Sequence, residues 1–267
     1  MLQTTRTGAW PALLATVACF TAPAVFAQGR EEARLITATE VMSELRQSRD
    51  EAIPQWLLDR AYGIVVVPDV VKVGFWFAGR HGMGVMVVRD EAGRFSNPVF
   101  VNLSGGSFGP QIGAQSTDVV LVFTTRKGVE GITDGKVTLG ADASVAAGPV
   151  GRTASAATDA SFKAEVYSYS RSKGLFIGVA LDGSALTIDD KSNAGFYGRK
   201  VSAGDILKGA VSTTSNNAQR FLAAIASSTA ATGATGASGA APAITPSESA
   251  ATGSGVKTYP LEEKSPK

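Results

Sequence analysis

The chain has 267 residues, 44% of them hydrophobic and 18% charged, and carries a formal net charge of +2. That length suits one globular domain with additional segments, and the near-neutral balance excludes the strongly basic field of a general nucleic-acid binder. Cys19 is its only cysteine, so no disulfide within the chain is available and stability must come from the core.

Near the N-terminus, Arg6 precedes an apolar run over residues 9–20, and Ala22-Pro23-Ala24-Val25-Phe26-Ala27 follows. The run is shorter than the about 20 residues a bilayer span needs, so residues 1–27 read as a secretory signal cut after Ala27. The expectation is an exported chain, periplasmic, envelope-associated or secreted, with a short linker over 28–34. Ala18-Cys19 offers a second processing route, acylation of the cysteine at a lipoprotein signal.

Over residues 37–48, Ala38, Val41, Met42 and Leu45 recur at helical spacing, with Glu40, Glu44, Arg46 and Gln47 on the other face and Thr37 or Thr39 as the cap. Pro54 suits the first turn of a second helix running through Trp56, Leu57 and Leu58 to about Ala61. Past Gly63 the period becomes that of strands. Ile64-Val65-Val66-Val67 ends at Pro68, and a strand over 70–78 follows. Gly84-Val85-Met86-Val87-Val88 leads through the polar turn Arg89-Asp90-Glu91-Ala92-Gly93 to Val99-Phe100-Val101-Asn102-Leu103. Strands over 119–125, 137–139, 164–170, 175–181 and 185–188 continue the series. The Ala, Gly and Ser stretch over 140–158 supplies no assignable element. Helical spacing returns over 201–226, with Ser202 or Asp205 and then Ser215 as caps. The predicted fold is α+β: an antiparallel, hairpin-rich sheet or barrel-like core with short N- and C-terminal helices. Residues 227–267 contain too few large apolar side chains to offset chain entropy and read as a disordered tail.

Two glycine motifs invite a reading as chemistry. Gly105, Ser107 and Gly109 spell G-x-S-x-G, but a nucleophile elbow needs a helix after its serine and a histidine later in the chain. Here Pro110 and Gly113 follow, and the only histidine, His81, comes earlier. Gly79-Arg80-His81-Gly82-Met83-Gly84 lacks the helix start that a phosphate loop requires and reads as a hairpin turn with His81 exposed. The acidic residues Asp182, Asp189 and Asp190 read as turn formers. No cysteine pair, second histidine or EF-hand spacing suggests a metal, and no cofactor is expected. Alternation sends Phe75 and Phe77 to one face and Trp76 to the other. Tyr167 to Phe176 reads as a hairpin whose Arg171 and Lys173 suit lipid phosphates.

Ala61-Tyr62-Gly63-Ile64-Val65-Val66-Val67-Pro68, residues 79–88, Gly109-Pro110-Gln111-Ile112-Gly113, Gly140-Ala141-Asp142, Tyr169-Ser170-Arg171-Ser172-Lys173-Gly174-Leu175-Phe176, Asn193 and Phe196-Tyr197-Gly198 together resemble the SYLF domain. The resemblance covers residues 35–226. It implies relatives that bind phosphoinositide membranes and, in yeast, bind and bundle actin filaments. The expected function is therefore non-catalytic binding of anionic phospholipid or phosphoinositide through Lys72, Arg80, Lys127, Arg171 and Lys173. An alternative is a protein-interaction module, pairing an exposed sheet edge or the Ala/Gly segment with a cytoskeletal or envelope partner. A third reading is a serine hydrolase acting through Ser107.

Overall fold

The computed structural model describes residues 23–47, 53–74, 77–108, 113–133, 135–150, 163–172 and 175–229. In chain order these form α1 (Pro23–Gln47), α2 (Gln55–Asp59), β1 (Gly63–Gly74), β2 (Phe77–Val88), β3 (Val99–Phe108), β4 (Gly113–Phe123), α3 (Arg126–Thr133), β5 (Lys136–Thr138), β6 (Val145–Ala147), β7 (Val166–Ser172), β8 (Leu175–Gly178), β9 (Ala185–Ile188), α4 (Asp190–Tyr197), α5 (Ala203–Leu207) and α6 (Asn216–Thr229). The predicted α+β class and antiparallel sheet are thus present, and the sheet curls into a half-barrel. Its strands run β5-β9-β3-β2-β1-β4-β7-β6, with β8 beside β7. The β6–β7 pair is parallel.

Both faces of the sheet are covered, which explains the unbroken apolar run at its centre. A strand facing water on one side alternates, whereas one buried on both sides reads as continuous Val and Ile. Ile64, Val65, Val66 and Val67 all have no solvent exposure. Ile64 and Val66 join Val85, Val87, Phe100, Val120, Val122 and Tyr169 in a core layer closed by α1, α2, α4 and α6. Val65 and Val67 face the other way, with Met86, Val101, Leu121 and Phe123, onto α3 and α5. The helical stripe predicted for α1 lies in the first layer, with Leu35 added one turn earlier.

Several local predictions are corrected. Pro68 does not end β1, which absorbs it in a bulge between Val67 and Val70 with Asp69 at a positive φ of 50°. Asp118 Oδ1 accepts the Asp69 N–H at 3.0 Å, satisfying the donor the bulge frees. Gly79 to Gly84 form no turn but lie inside β2, with His81 paired to Val71 and Ser104. Glycine is required there by contact: a Cβ on Gly84 would stand 2.6 Å from the Val66 carbonyl oxygen, and one on Gly82 2.7 Å from Val70 Cγ2. Asp189 caps a helix that sequence reading missed, accepting the Ser192 N–H at 3.0 Å. The helix α1 starts at Pro23 and runs through residues 28–34, expected as a linker. Thr37 and Thr39 lie mid-helix, bonding the carbonyls of Ala33 and Leu35. Residues 1–22, the Phe75-Trp76 pair, Lys173 and residues 230–267 lie outside the described residues.

Candidate binding surfaces

The helix α1 is held to the sheet at two points. Near its C-terminal end, Arg171 on β7 pairs with Glu44 and, through Nε at 2.6 Å, with Asp118 on β4. Burial alone would lower the Arg171 pKa, but Asp118 and Glu44 outweigh it and raise it above its ordinary value. Near the N-terminal end, Arg34 lies over the Phe100 ring at 5.3 Å and within 3.6 Å of Asp189, while Nη2 reaches Met83 Sδ at 3.3 Å. Burial pulls the Arg34 pKa down, against the opposing pull of Asp189 and Glu31.

Beyond this second anchor, β1 and β2 continue past their helical cover and leave a groove of about 850 Å³ against α1. Cross-strand pairing puts Val71 opposite His81 and Val73 opposite Gly79, so Val71, Val73, His81 and Met83 share the face toward α1. Val71, Val73 and Met83 are 46%, 57% and 47% exposed. Two buried polar atoms in the groove wall, Glu31 Oε2 and Arg34 Nη1, have no hydrogen-bond partner among the described residues. The sequence did contain a signal: Arg30, Arg34 and Thr37 recur at i, i+4 and i+7. The linker reading over 28–34 hid it.

Of the five cations expected to contact lipid, Lys173 lies outside the described residues and the other four do not converge on one spot. Lys72 and Arg80 are cross-strand partners on the face opposite Val71, and burial holds the Arg80 pKa below its ordinary value. Lys127 sits in the first turn of α3, 3.9 Å from Glu165 and largely in solvent. Arg171 is engaged by Glu44 and Asp118. Leu175 and Ile177, the exposed apolar pair of β8, lie on the same face as Lys72, since Phe176 between them turns into the α1 layer.

Ser107 falls within β3, its Cα registered with Ala78, and the next element is the strand β4. That backbone is no strand-to-helix elbow. His81 registers with Ser104, three residues away from Ser107. The hydrolase reading has no support in this geometry.

The block of residues around α4 and β7 that carries the family likeness is explained by packing. Asn193 is fully buried, with Oδ1 accepting the Phe100 N–H at 2.9 Å and Nδ2 donating to the Phe100 carbonyl at 3.2 Å. Phe196 packs on Phe100 with centroids 5.1 Å apart, Tyr197 Oη donates to the Pro98 carbonyl, and Gly198 closes the helix in the left-handed region. Residues 104–228, which include this block, match the family model described as Ysc84, Las17-binding protein actin regulator. The chain carries a Ysc84, or SYLF, domain. It is 41% identical over 165 residues to LAS seventeen-binding protein 3 of Saccharomyces cerevisiae, covering 61% of this chain and 36% of that protein. Protein YSC84 of the same yeast is 40% identical over 165 residues, covering 61% and 35%. The human SH3 domain-containing YSC84-like protein 1 is 35% identical over 172 residues, covering 64% and 49%. The SYLF-containing chain therefore spans between about a third and a half of the length of these relatives.

These relatives correct the expectation of export. They are yeast and human proteins named for Las17 binding, SH3 domains and likeness to Ysc84, and the family is described as an actin regulator. An exported, periplasmic or secreted setting does not fit that company and is withdrawn. The proposed cut after Ala27 also falls inside α1. Among the described residues, no helix is long and apolar enough to cross a membrane.

Proposed function

We propose that the chain is a protein-interaction module of the actin-regulator type, acting by binding and not by catalysis. The observation that carries this reading is the match of residues 104–228 to the Las17-binding, actin-regulator family, supported by 41% identity to a yeast protein named for Las17 binding. The fold is consistent with a binding scaffold. Its central strands are sealed on both faces over Ile64 to Val67 and Val85 to Val88, and the partly buried ionic cluster of Glu44, Arg171 and Asp118 is engaged in holding α1 to the sheet.

A second reading, contact with an anionic phospholipid surface, is favoured by the cross-strand juxtaposition of Lys72 and Arg80. Lys127 and Arg171, named with them from the sequence, lie apart from this pair, each beside a carboxylate. A cation near such a surface contributes about 1 kcal/mol, so Lys72→Ala with Arg80→Ala should weaken vesicle binding about thirtyfold.

The test sediments the purified chain with actin filaments and, in parallel, with anionic phospholipid vesicles, and applies it to immobilised Las17. Saturable pelleting with filaments or retention on Las17 supports the first reading. Pelleting with vesicles alone, lost in the Lys72 and Arg80 variant, replaces it with the second.

A further inference from the structure

The groove between α1 and the β1–β2 hairpin is a gap in an otherwise continuous cover. On this side of the sheet the apolar layer of Ile64, Val66, Val85, Val87 and Phe100 is closed by α1, α2, α4 and α6. The same face continues beyond α1 through Val71, Val73 and Met83, each about half exposed. An apolar sheet face is ordinarily closed by packing another element onto it, and on this face every such element is a helix.

The charges around the strip select the sign of a further helix. Two of the lining carboxylates are already committed: Glu31 is 5% exposed, and Asp189 pairs with Arg34 and caps α4 by accepting the Ser192 N–H. Arg34 is itself engaged by Asp189, Met83 and the Phe100 ring. The wall leaves exposed Arg30, one turn before Arg34 on α1, and Lys191 in the first turn of α4. Neither has an ion-pair partner among the described residues, and Arg80, also in the lining, adds to the same sign. The exposed carboxylate of the lining, Asp69, lies at the other end, on β1 beside β4, where Ser116 Oγ donates to it at 3.4 Å. With β9-β3-β2-β1-β4 as the strand order, the groove has a positive end at α4 and an acidic end toward β4.

Resting on the protein-interaction reading, we propose that this groove docks an acidic amphipathic helix of a partner protein. Its apolar side lies on Val71, Val73 and Met83, and its carboxylates face Arg30 and Lys191. Burial supplies affinity, and the charges fix orientation. The volume of about 850 Å³ falls within the range of binding clefts. A planar bilayer fits less well: resting on α1, it would stand off the strip by about 10 Å, the diameter of a helix.

Selection on the full chain from a displayed library of amphipathic helices about 15 residues long, their non-apolar positions randomised, tests this. Recovered sequences should be enriched in Glu and Asp beside the apolar stripe. A fluorescein-labelled synthetic copy of one should bind the full chain by anisotropy. Arg30→Glu with Lys191→Glu, and separately Val71→Lys with Val73→Lys, should each weaken binding about tenfold or more. All four positions are exposed, so thermal melts of these variants should match the parent. Replacing the peptide's acids by lysine should restore binding to the chain carrying Arg30→Glu and Lys191→Glu. Leu175→Lys with Ile177→Lys, on the opposite face, should leave binding unchanged. No recovered binder, no acidic enrichment, indifference to either groove pair, or no rescue by the charge swap overturns the proposal. Anionic phospholipid vesicles that pellet the chain through these same four positions, with no peptide recovered, overturn it in favour of a membrane. The filament and Las17 assays, repeated on the same variants, separate it from the reading beneath it. If they stay positive while the peptide fails, the groove assignment falls and the interaction module stands. If they are negative while the peptide behaves as described, the groove stands and the actin-regulator partner falls.

Discussion

Replacing Arg171 by Met should destabilise the fold far more than loss of a surface cation would. The guanidinium is 17% exposed and pairs with Asp118, itself 11% exposed, and with Glu44, which is 46% exposed. When the guanidinium is removed, Glu44 can return to water, but Asp118 is left under α1 with, among the described residues, only the Asp69 N–H to compensate its charge. Breaking a buried pair by deleting one partner costs about 3–5 kcal/mol, and partial exposure here argues for about 3 kcal/mol. In a domain of this size each kcal/mol lowers the melting temperature by about 2–4 °C, so a fall of about 6–12 °C is expected. Urea unfolding followed by tryptophan fluorescence gives the free energy directly. Pairing the change with Asp118→Asn should recover most of the loss, because the stranded charge is then gone, whereas Glu44→Gln alone should cost about 1 kcal/mol or less. A loss below about 1 kcal/mol for Arg171→Met would refute the clamp, since that is the value of an exposed pair.

Three other perturbations probe the scaffold. Gly84→Val forces a side chain against the Val66 carbonyl and the Val67 methyl groups; it should cost at least about 2 kcal/mol in the same unfolding assay. Asn193→Ala takes the acceptor from the buried Phe100 N–H, while the Phe100 carbonyl keeps the Asp189 N–H. About 1–3 kcal/mol should be lost, with the Phe100 amide exchanging faster in hydrogen-exchange measurements. Burial raises the Tyr169 pKa well above its ordinary value of 10.0, so the folded state disfavours the phenolate. That contribution is present in full below about pH 10 and is lost as pH climbs beyond it, because the unfolded chain then ionises first. The denaturation midpoint should therefore fall steeply above about pH 10, and Tyr169→Phe should flatten the fall. An unchanged slope in that variant would count against the assignment.

The parts of the fold legible in the sequence were those governed by a single strong period. Ala38, Val41, Met42 and Leu45 fall on one helix face and are buried, and Ser202 caps α5 by accepting the Asp205 N–H. The strands over 64–67, 85–88 and 99–103 were readable from β-branched content. What was hidden depended on neighbours distant in the chain. Gly82 and Gly84 look like turn residues until Val66, Val67 and Val70 are seen to press on them across the ladder. The α3 segment, Arg126–Thr133, has two glycines and only Val129 and Ile132 as buried large residues, too weak a helical signal to stand alone. Asp189-Asp190 reads equally as a turn or as a cap followed by a first-turn acid, and only the Ser192 bond decides. At the candidate surfaces, the Lys72 and Arg80 pairing could not be foreseen because Pro68 made β1 look like two strands. Nor could Arg171 be separated from a solvated turn cation without Glu44 and Asp118, from elements 127 and 53 residues away in sequence.

The most direct measurement is the binding isotherm of the purified chain for actin filaments by co-sedimentation, run beside vesicles of anionic phospholipid and with Las17 in the filament arm. Saturable pelleting with filaments, or with Las17-bearing filaments, is the result expected of an interaction module of this family. A chain that stays in the supernatant in both filament arms would contradict it, whether or not the vesicles carry it down.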